Sequence, residues 1–172
     1  MIRWWFNPAY RGQSAEAVFA TLDRTFAVEG EAVTRDPLSD VERVMAGVTR
    51  FYVKRYRGNG RTTLRSWFGL RGWFGLQRVK REWENLLAFQ AWGIPTATPV
   101  AYGLERRFGY FLRGALVTEE LKGTRDLADL ALSGDLRLHD RTWVSAVLRQ
   151  VAHATRSMHA AGFAHNDLKW RN

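Results

Sequence analysis

The chain has 172 residues, 46% of them hydrophobic, with eight Trp and ten Phe; that is enough apolar surface for one domain or two small lobes, and too much for a disordered chain. With 26 Lys and Arg against 17 Asp and Glu the net charge is +9, so an anionic partner is expected, whether nucleotide, nucleic acid or an anionic membrane surface. The absence of Cys excludes disulfides and thiolate metal sites and fits a reducing compartment; with no apolar run approaching a signal peptide or the ~18 residues of a membrane span, a cytoplasmic protein is expected.

In chain order, residues 1–28 read as a lead-in, with a helical pattern in which Ala15, Val18, Phe19, Leu22 and Phe26 share one side. Residues 32–34 and 41–45 are strand candidates flanking the turn-rich Arg35-Asp36-Pro37-Leu38-Ser39-Asp40. Ala46-Gly47 then turns the chain into residues 49–56, whose alternation is that of a half-buried strand. These three predict an antiparallel meander. An insert follows, with the hexapeptide Arg65-Ser66-Trp67-Phe68-Gly69-Leu70 repeated as Arg71-Gly72-Trp73-Phe74-Gly75-Leu76. Two copies are too few for a repeat architecture. Residues 79–92 predict a helix closed by Gly93 and Pro95, 99–104 and 113–121 two further strands, and 124–132 and 137–161 helices, the second long and amphipathic. The expectation is an α+β fold, with a five-stranded antiparallel lobe carrying one helix over residues 1–121 and a partial helical lobe over 122–172.

The last eight residues, His165-Asn166-Asp167-Leu168-Lys169-Trp170-Arg171-Asn172, spell the H-x-D-L-x-x-x-N pattern of a kinase catalytic loop. In such a loop the Asp accepts the proton of the hydroxyl being phosphorylated, the Lys lies beside the transferring phosphoryl group and the Asn binds metal. Asp167 and Lys169 are therefore the candidate catalytic residues, and Asn172 the candidate metal ligand; His165 braces the loop. Lys54, on the third predicted strand, is the candidate contact to the α and β phosphates, the alternative being a solvated strand lysine. Glu82, on the following helix, is placed to hold it. Its neighbour Glu84 is the rival, but a helix turns about 200° between them, so only one faces the sheet. Residues 118–123 read as a hinge, with Thr118 behind an adenine pocket and the backbones of Glu119 and Leu121 pairing with the base. A strand simply leaving its sheet is the competing reading.

Taken together, Tyr52-Val53-Lys54-Arg55-Tyr56, Arg81-Glu82-Trp83, Gly93-Ile94-Pro95-Thr96-Ala97-Thr98-Pro99 and Gly162-Phe163-Ala164-His165-Asn166-Asp167-Leu168-Lys169 resemble the bacterial lipopolysaccharide core kinases, the Kdo and heptose kinases, over residues 30–172. The resemblance implies a protein-kinase-like fold and transfer from ATP, assisted by Mg²⁺, to a heptose or Kdo hydroxyl of the lipopolysaccharide core. It places the activity at the cytoplasmic face of the inner membrane. No G-x-G-x-x-G separates the first two strands of the meander, where Asp36-Pro37-Leu38-Ser39-Asp40 stands instead. No second metal-binding Asp follows Asn172, so the reading treats the chain as C-terminally truncated and expects it to be inactive or incomplete by itself. A kinase of the same fold acting on a protein or small molecule, and a catalytically incomplete kinase-like binding module, remain alternatives. No nucleic acid is expected, because zinc-finger, RNP-like and basic heptad patterns are missing. The tandem hexapeptide, with Trp, Phe and Arg together, is expected either to contact an anionic, amphipathic acceptor or leaflet, or to pack as core beneath the sheet.

Overall fold

The computed structural model describes residues 1–58, 70–108 and 110–164, the side chains of 70–77 excepted. These residues divide into two compact units, one of residues 1–88 with 97–120 and the other of 89–96 with 121 onward.

The first unit is built on an antiparallel sheet of β1 (Ile2–Phe6), β2 (Glu31–Asp36), β3 (Ser39–Ala46), β4 (Thr49–Arg57), β5 (Pro99–Arg107) and β6 (Tyr110–Glu119). Its spatial order is β1-β5-β6-β4-β3-β2. The meander appears as β2, β3 and β4. The strand count is corrected from five to six, because Ile2–Phe6, read from the sequence as lead-in, pairs with β5 from Ile2↔Glu105 to Phe6↔Ala101. Gly47 takes φ 62 at the first position of the β3–β4 turn, where a two-residue hairpin of the twist-compatible kind favours glycine. The other edge strand, β2, is exposed along its whole length and carries Glu31, Arg35 and Asp36, charges that discourage further strand pairing.

Helices cover both faces of the sheet. The predicted lead-in helix is two, α1 (Ser14–Phe19) and α2 (Leu22–Ala27), because Thr21 turns out of helix and caps α2 by accepting a hydrogen bond from the Arg24 N–H. With Tyr10 they close one face over Phe51, Val53, Val100, Ala101 and Val117. Phe19 and Phe51, both fully buried, meet edge to face with centroids 5.2 Å apart; burial of each ring stabilises by roughly 2 to 3 kcal/mol. Arg55 also reaches into this layer. Its guanidinium, 4% exposed, pairs with Asp40 at 3.2 Å and Glu42 at 2.8 Å and donates to the carbonyls of Thr25 and Val28, so it fixes the end of α2. Helix α3 (Leu70–Ala91) lies on the opposite face, where Val79 and Trp83 pack with Tyr56 and Leu116. It begins nine residues before the predicted start, inside the tandem hexapeptide. Residues 61–69 of that segment lie outside the described residues.

In the second unit, α4 (Leu127–Leu132) is capped by Asp126 and α5 (Arg141–Ala160) by Asp140. Gly162, at φ 74, ends α5, and the Phe163 N–H bonds back to Met158 O at 2.9 Å, a left-handed helix stop. Phe89, Trp92 and Phe163 form an aromatic triad with centroids 5.2 to 5.9 Å apart. The triad anchors the chain just beyond α5. Among the described residues no helix is long and apolar enough to cross a membrane.

Candidate functional site

Alternation along β4 decides what each side chain meets. Phe51, Val53 and Arg55 face α1 and α2, while Lys54 and Tyr56 face α3. On α3, Val79, Trp83 and Leu86 are the positions that seat the helix; Glu82, one turn from Val79 and Leu86, is carried to the sheet beside them.

The outcome is an ion pair at the edge of the core. Lys54 Nζ lies 2.7 and 2.9 Å from the two carboxylate oxygens of Glu82. The pair is partly open to solvent, with side chains 34% and 36% exposed. The ammonium also stands 5.3 Å from the centroid of the Tyr56 ring, within cation–π range. Glu84, the rival acid, points away and pairs with Lys80 at 3.2 Å. An ammonium has three donors, and two are taken by Glu82, so the third is directed by the pair and can meet an incoming anion. The side chain is thus ordered before any ligand arrives, which lowers the entropy lost on binding.

Tyr56 was not singled out in the sequence, although it lies two residues from Lys54 on the same strand and hence on the same face. Its hydroxyl is buried without a partner at hydrogen-bond geometry. Burial, and after it the charge of the nearby Glu82 carboxylate and the pull of that carboxylate on the hydroxyl proton, hold its phenol far above the ordinary range, opposed by Arg78. Tyr56 is therefore a neutral, fixed platform beneath the lysine.

Thr118 pairs with Tyr52 across β4 and β6, and Lys54 pairs with Leu116 in the same register, so Thr118 and Lys54 share a face. Beyond Thr118 the strand end is pinned on both sides of the sheet. Tyr10 donates to Glu119 Oε2 at 2.5 Å on the α1 side. On the other, Glu120 receives the Tyr52 hydroxyl at 3.3 Å and lies 3.5 Å from Arg43 and 3.6 Å from Arg50. The Glu119 N–H is bonded to Thr98 O at 2.9 Å, so any role of its backbone toward a base falls to the carbonyl. The next residue after Glu120 is Leu121, the first of the second unit's long segment. Sequence reasoning missed Tyr10, Arg43 and Arg50, whose partners are remote in the chain.

The β2–β3 connection, where a glycine-rich loop would stand, is a tight turn. Asp36 pairs with Ser39, with Pro37 and Leu38 between, and Leu38 O accepts from the Arg57 N–H. His165, Asp167, Lys169 and Asn172 lie outside the described residues, and among those described no three His, Asp or Glu side chains are grouped to hold a metal.

The profile of the lipopolysaccharide kinase (Kdo/WaaP) family matches residues 24–172. A solved structure described as WaaP in complex with acyl carrier protein superposes with a TM-score of 0.57 at 21% identity, over 90% of this chain. The likeness is one of fold, and the chain spans 57% of the length of that protein. Among curated proteins none matches. By the extent of the profile match, the chain belongs to the lipopolysaccharide kinase (Kdo/WaaP) family.

Proposed function

We propose that this chain supplies the nucleotide lobe and catalytic loop of an ATP-dependent kinase that phosphorylates a heptose or Kdo hydroxyl of the lipopolysaccharide core. The observation that carries this reading is the Lys54–Glu82 pair, 2.7 Å long, in a chain of the family. A lysine held by a glutamate on the neighbouring helix, with a donor still to give, suits the α and β phosphates of a nucleotide. Thr118 lies on the same face of the sheet, and the Glu119 carbonyl and Leu121 N–H are assigned to the adenine edge.

The remaining roles come from the terminal loop. Asp167 takes the proton of the sugar hydroxyl as its oxygen bonds to the γ phosphorus and the bond to the ADP oxygen breaks. Lys169 offsets charge on the transferring group. Asn172 is the residue of this chain assigned to Mg²⁺, which when bound neutralises the β and γ phosphates. The acceptor implies work at the inner membrane surface from the cytoplasmic side, and the +9 charge suits both the nucleotide and an anionic leaflet.

The test is Asp167→Asn in the intact protein, with transfer to a lipopolysaccharide core acceptor and nucleotide affinity measured side by side. Transfer should fall by at least about 10²-fold, as expected for loss of a general base, while affinity for ATP stays near wild type. A variant that still turns over at the wild-type rate rules the assignment out.

A further inference from the structure

The tip of the β5–β6 hairpin combines features that the fold itself gives no reason to place together. Two residues, Phe108 and Gly109, connect the paired Arg107 and Tyr110. Phe108 stands at φ 51, the one non-glycine residue at positive φ among those described. Asn, Asp or Gly would occupy that position at little cost, whereas an aromatic is disfavoured there. The ring is also 88% exposed, with Tyr110 67% and the adjoining Met1 76% exposed. A backbone conformation unfavourable to the residue coincides with an aromatic left in water.

The charge around the tip has one sign. Arg106 and Arg107 precede Phe108, with the Arg107 guanidinium 5.5 Å from the ring centroid. The N-terminal ammonium of Met1 donates to Arg106 O at 2.6 Å. The nearest acid, Glu105, is engaged by Arg113 at 2.7 Å. Gly58, at the end of β4, donates its N–H to Leu112 O at 2.7 Å, which ties this end of β4 to the hairpin.

We propose that the β5–β6 tip is an anchor for an anionic bilayer surface, with Phe108 entering the interfacial layer and Arg106 and Arg107 contacting lipid phosphates. Exposed aromatics with flanking cations suit that layer, where ring and charge are satisfied at different depths. A protein partner would not need so narrow an apolar point. The inference goes beyond the kinase reading and does not depend on it, since vesicle binding requires neither nucleotide nor transfer.

The experiment is co-sedimentation of the protein with phosphatidylglycerol vesicles and with phosphatidylcholine vesicles, without nucleotide. Wild type should bind the first and not the second, and binding should weaken with salt. Phe108→Asn should reduce affinity for the anionic vesicles about tenfold, as expected for withdrawing one aromatic from an apolar layer. Its melting temperature should be unchanged or higher, because Asn accepts the left-handed backbone. Arg106→Ser and Arg107→Ser should each cost about fivefold in affinity. The proposal is overturned if Phe108→Asn binds like wild type, or if it loses binding only together with its thermal stability. It is equally overturned if Trp67→Ser with Trp73→Ser abolishes binding while the tip variants keep it. Failure of wild type to bind either vesicle also overturns the proposal, and leaves the kinase reading untouched.

Discussion

Tyr10 and Glu119, 109 residues apart in the chain, are joined by a hydrogen bond of 2.5 Å. The bond ties the lead-in to the last residue of β6, one position before the chain runs toward the other unit. Burial, and after it the bond to and charge of Glu119, raise the Tyr10 phenol well above its usual range. Tyr10→Phe keeps the ring in its edge-to-face contact with Phe51, 6.2 Å between centroids, and removes only the donor. A bond to a charged acceptor contributes about 1.5 to 3 kcal/mol, so the variant should melt several degrees lower, at ~2 to 4 °C per kcal/mol for a chain of this size. Calorimetry of the two proteins checks it; equal melting temperatures would show that the bond contributes nothing.

Alkaline stability follows from the same chemistry. Burial raises the phenols of Tyr10, Tyr56 and Tyr102 in the folded protein, while in the unfolded chain they titrate near ~10. Between those values the folded state holds more protons than the unfolded one, so stability falls as pH rises. The contribution is therefore complete below about pH 10 and is lost progressively above it. Denaturant midpoints at pH 8 and pH 11 should show a loss that Tyr56→Phe reduces. A Tyr56→Phe protein with an undiminished alkaline loss would contradict this account.

Lys54 and Glu82 should separate function from folding. Their pair is more than a third exposed on the Glu82 side, and such pairs contribute only ~0 to 1 kcal/mol to stability. Lys54→Ala should therefore leave the melting temperature nearly unchanged while weakening nucleotide affinity roughly tenfold or more, the effect of losing a charge-assisted bond to phosphate. Glu82→Gln should weaken it less, since Lys54 keeps its charge and loses only its orientation. Titration of a fluorescent ATP analogue measures both; an unaltered affinity for Lys54→Ala would return that residue to an ordinary strand lysine.

Arg55 should behave in the opposite way, with its effect on stability alone. It is buried against Asp40 and Glu42 and against two carbonyls. Arg55→Met leaves Asp40 buried with Arg57, 2.9 Å away on the solvent side, as its remaining cation. Removing one partner of a buried pair costs about 3 to 5 kcal/mol, and the residual Arg57 contact places the expectation near the lower end. Arg55→Lys should cost less, because it keeps a cation but not the fork that reaches both carbonyls. Urea unfolding orders wild type, Lys and Met; a Met variant as stable as wild type would refute the role.

What the sequence disclosed and what it hid divide along the distance between partners. Lys54 was legible because alternation in β4 is local, and the choice of Glu82 over Glu84 because the spacing of Glu82 from Leu86 and Phe89 along one helix is local too. Strand β1 was hidden: five residues with no turn signal of their own, whose partner strand begins more than ninety residues later. The break between α1 and α2 had a local mark in Thr21, yet Ala15 to Phe26 keeps helical spacing across it, and the apolar pattern outweighed the cap. Tyr10, Arg43 and Arg50 gave no signal, since nothing near them in the chain names Glu119 or Glu120 as their goal. The α3 start was misplaced because glycines in the tandem hexapeptide argue against helix where the backbone is nonetheless helical from Leu70.

The family likeness begins at residue 24, but the hydrophobic layer beneath one sheet face is closed by residues before it. Trp4, Phe6, Tyr10, Ala15, Val18 and Phe19 all belong to that layer, and the Trp4 indole N–H donates to Phe19 O at 3.0 Å across it. A shortened protein starting where the likeness starts would expose Phe51, Val53 and Val117 to water and bare the β5 edge for pairing with another copy. The stretch that precedes the family match is thus the part that keeps this sheet from becoming an aggregation template.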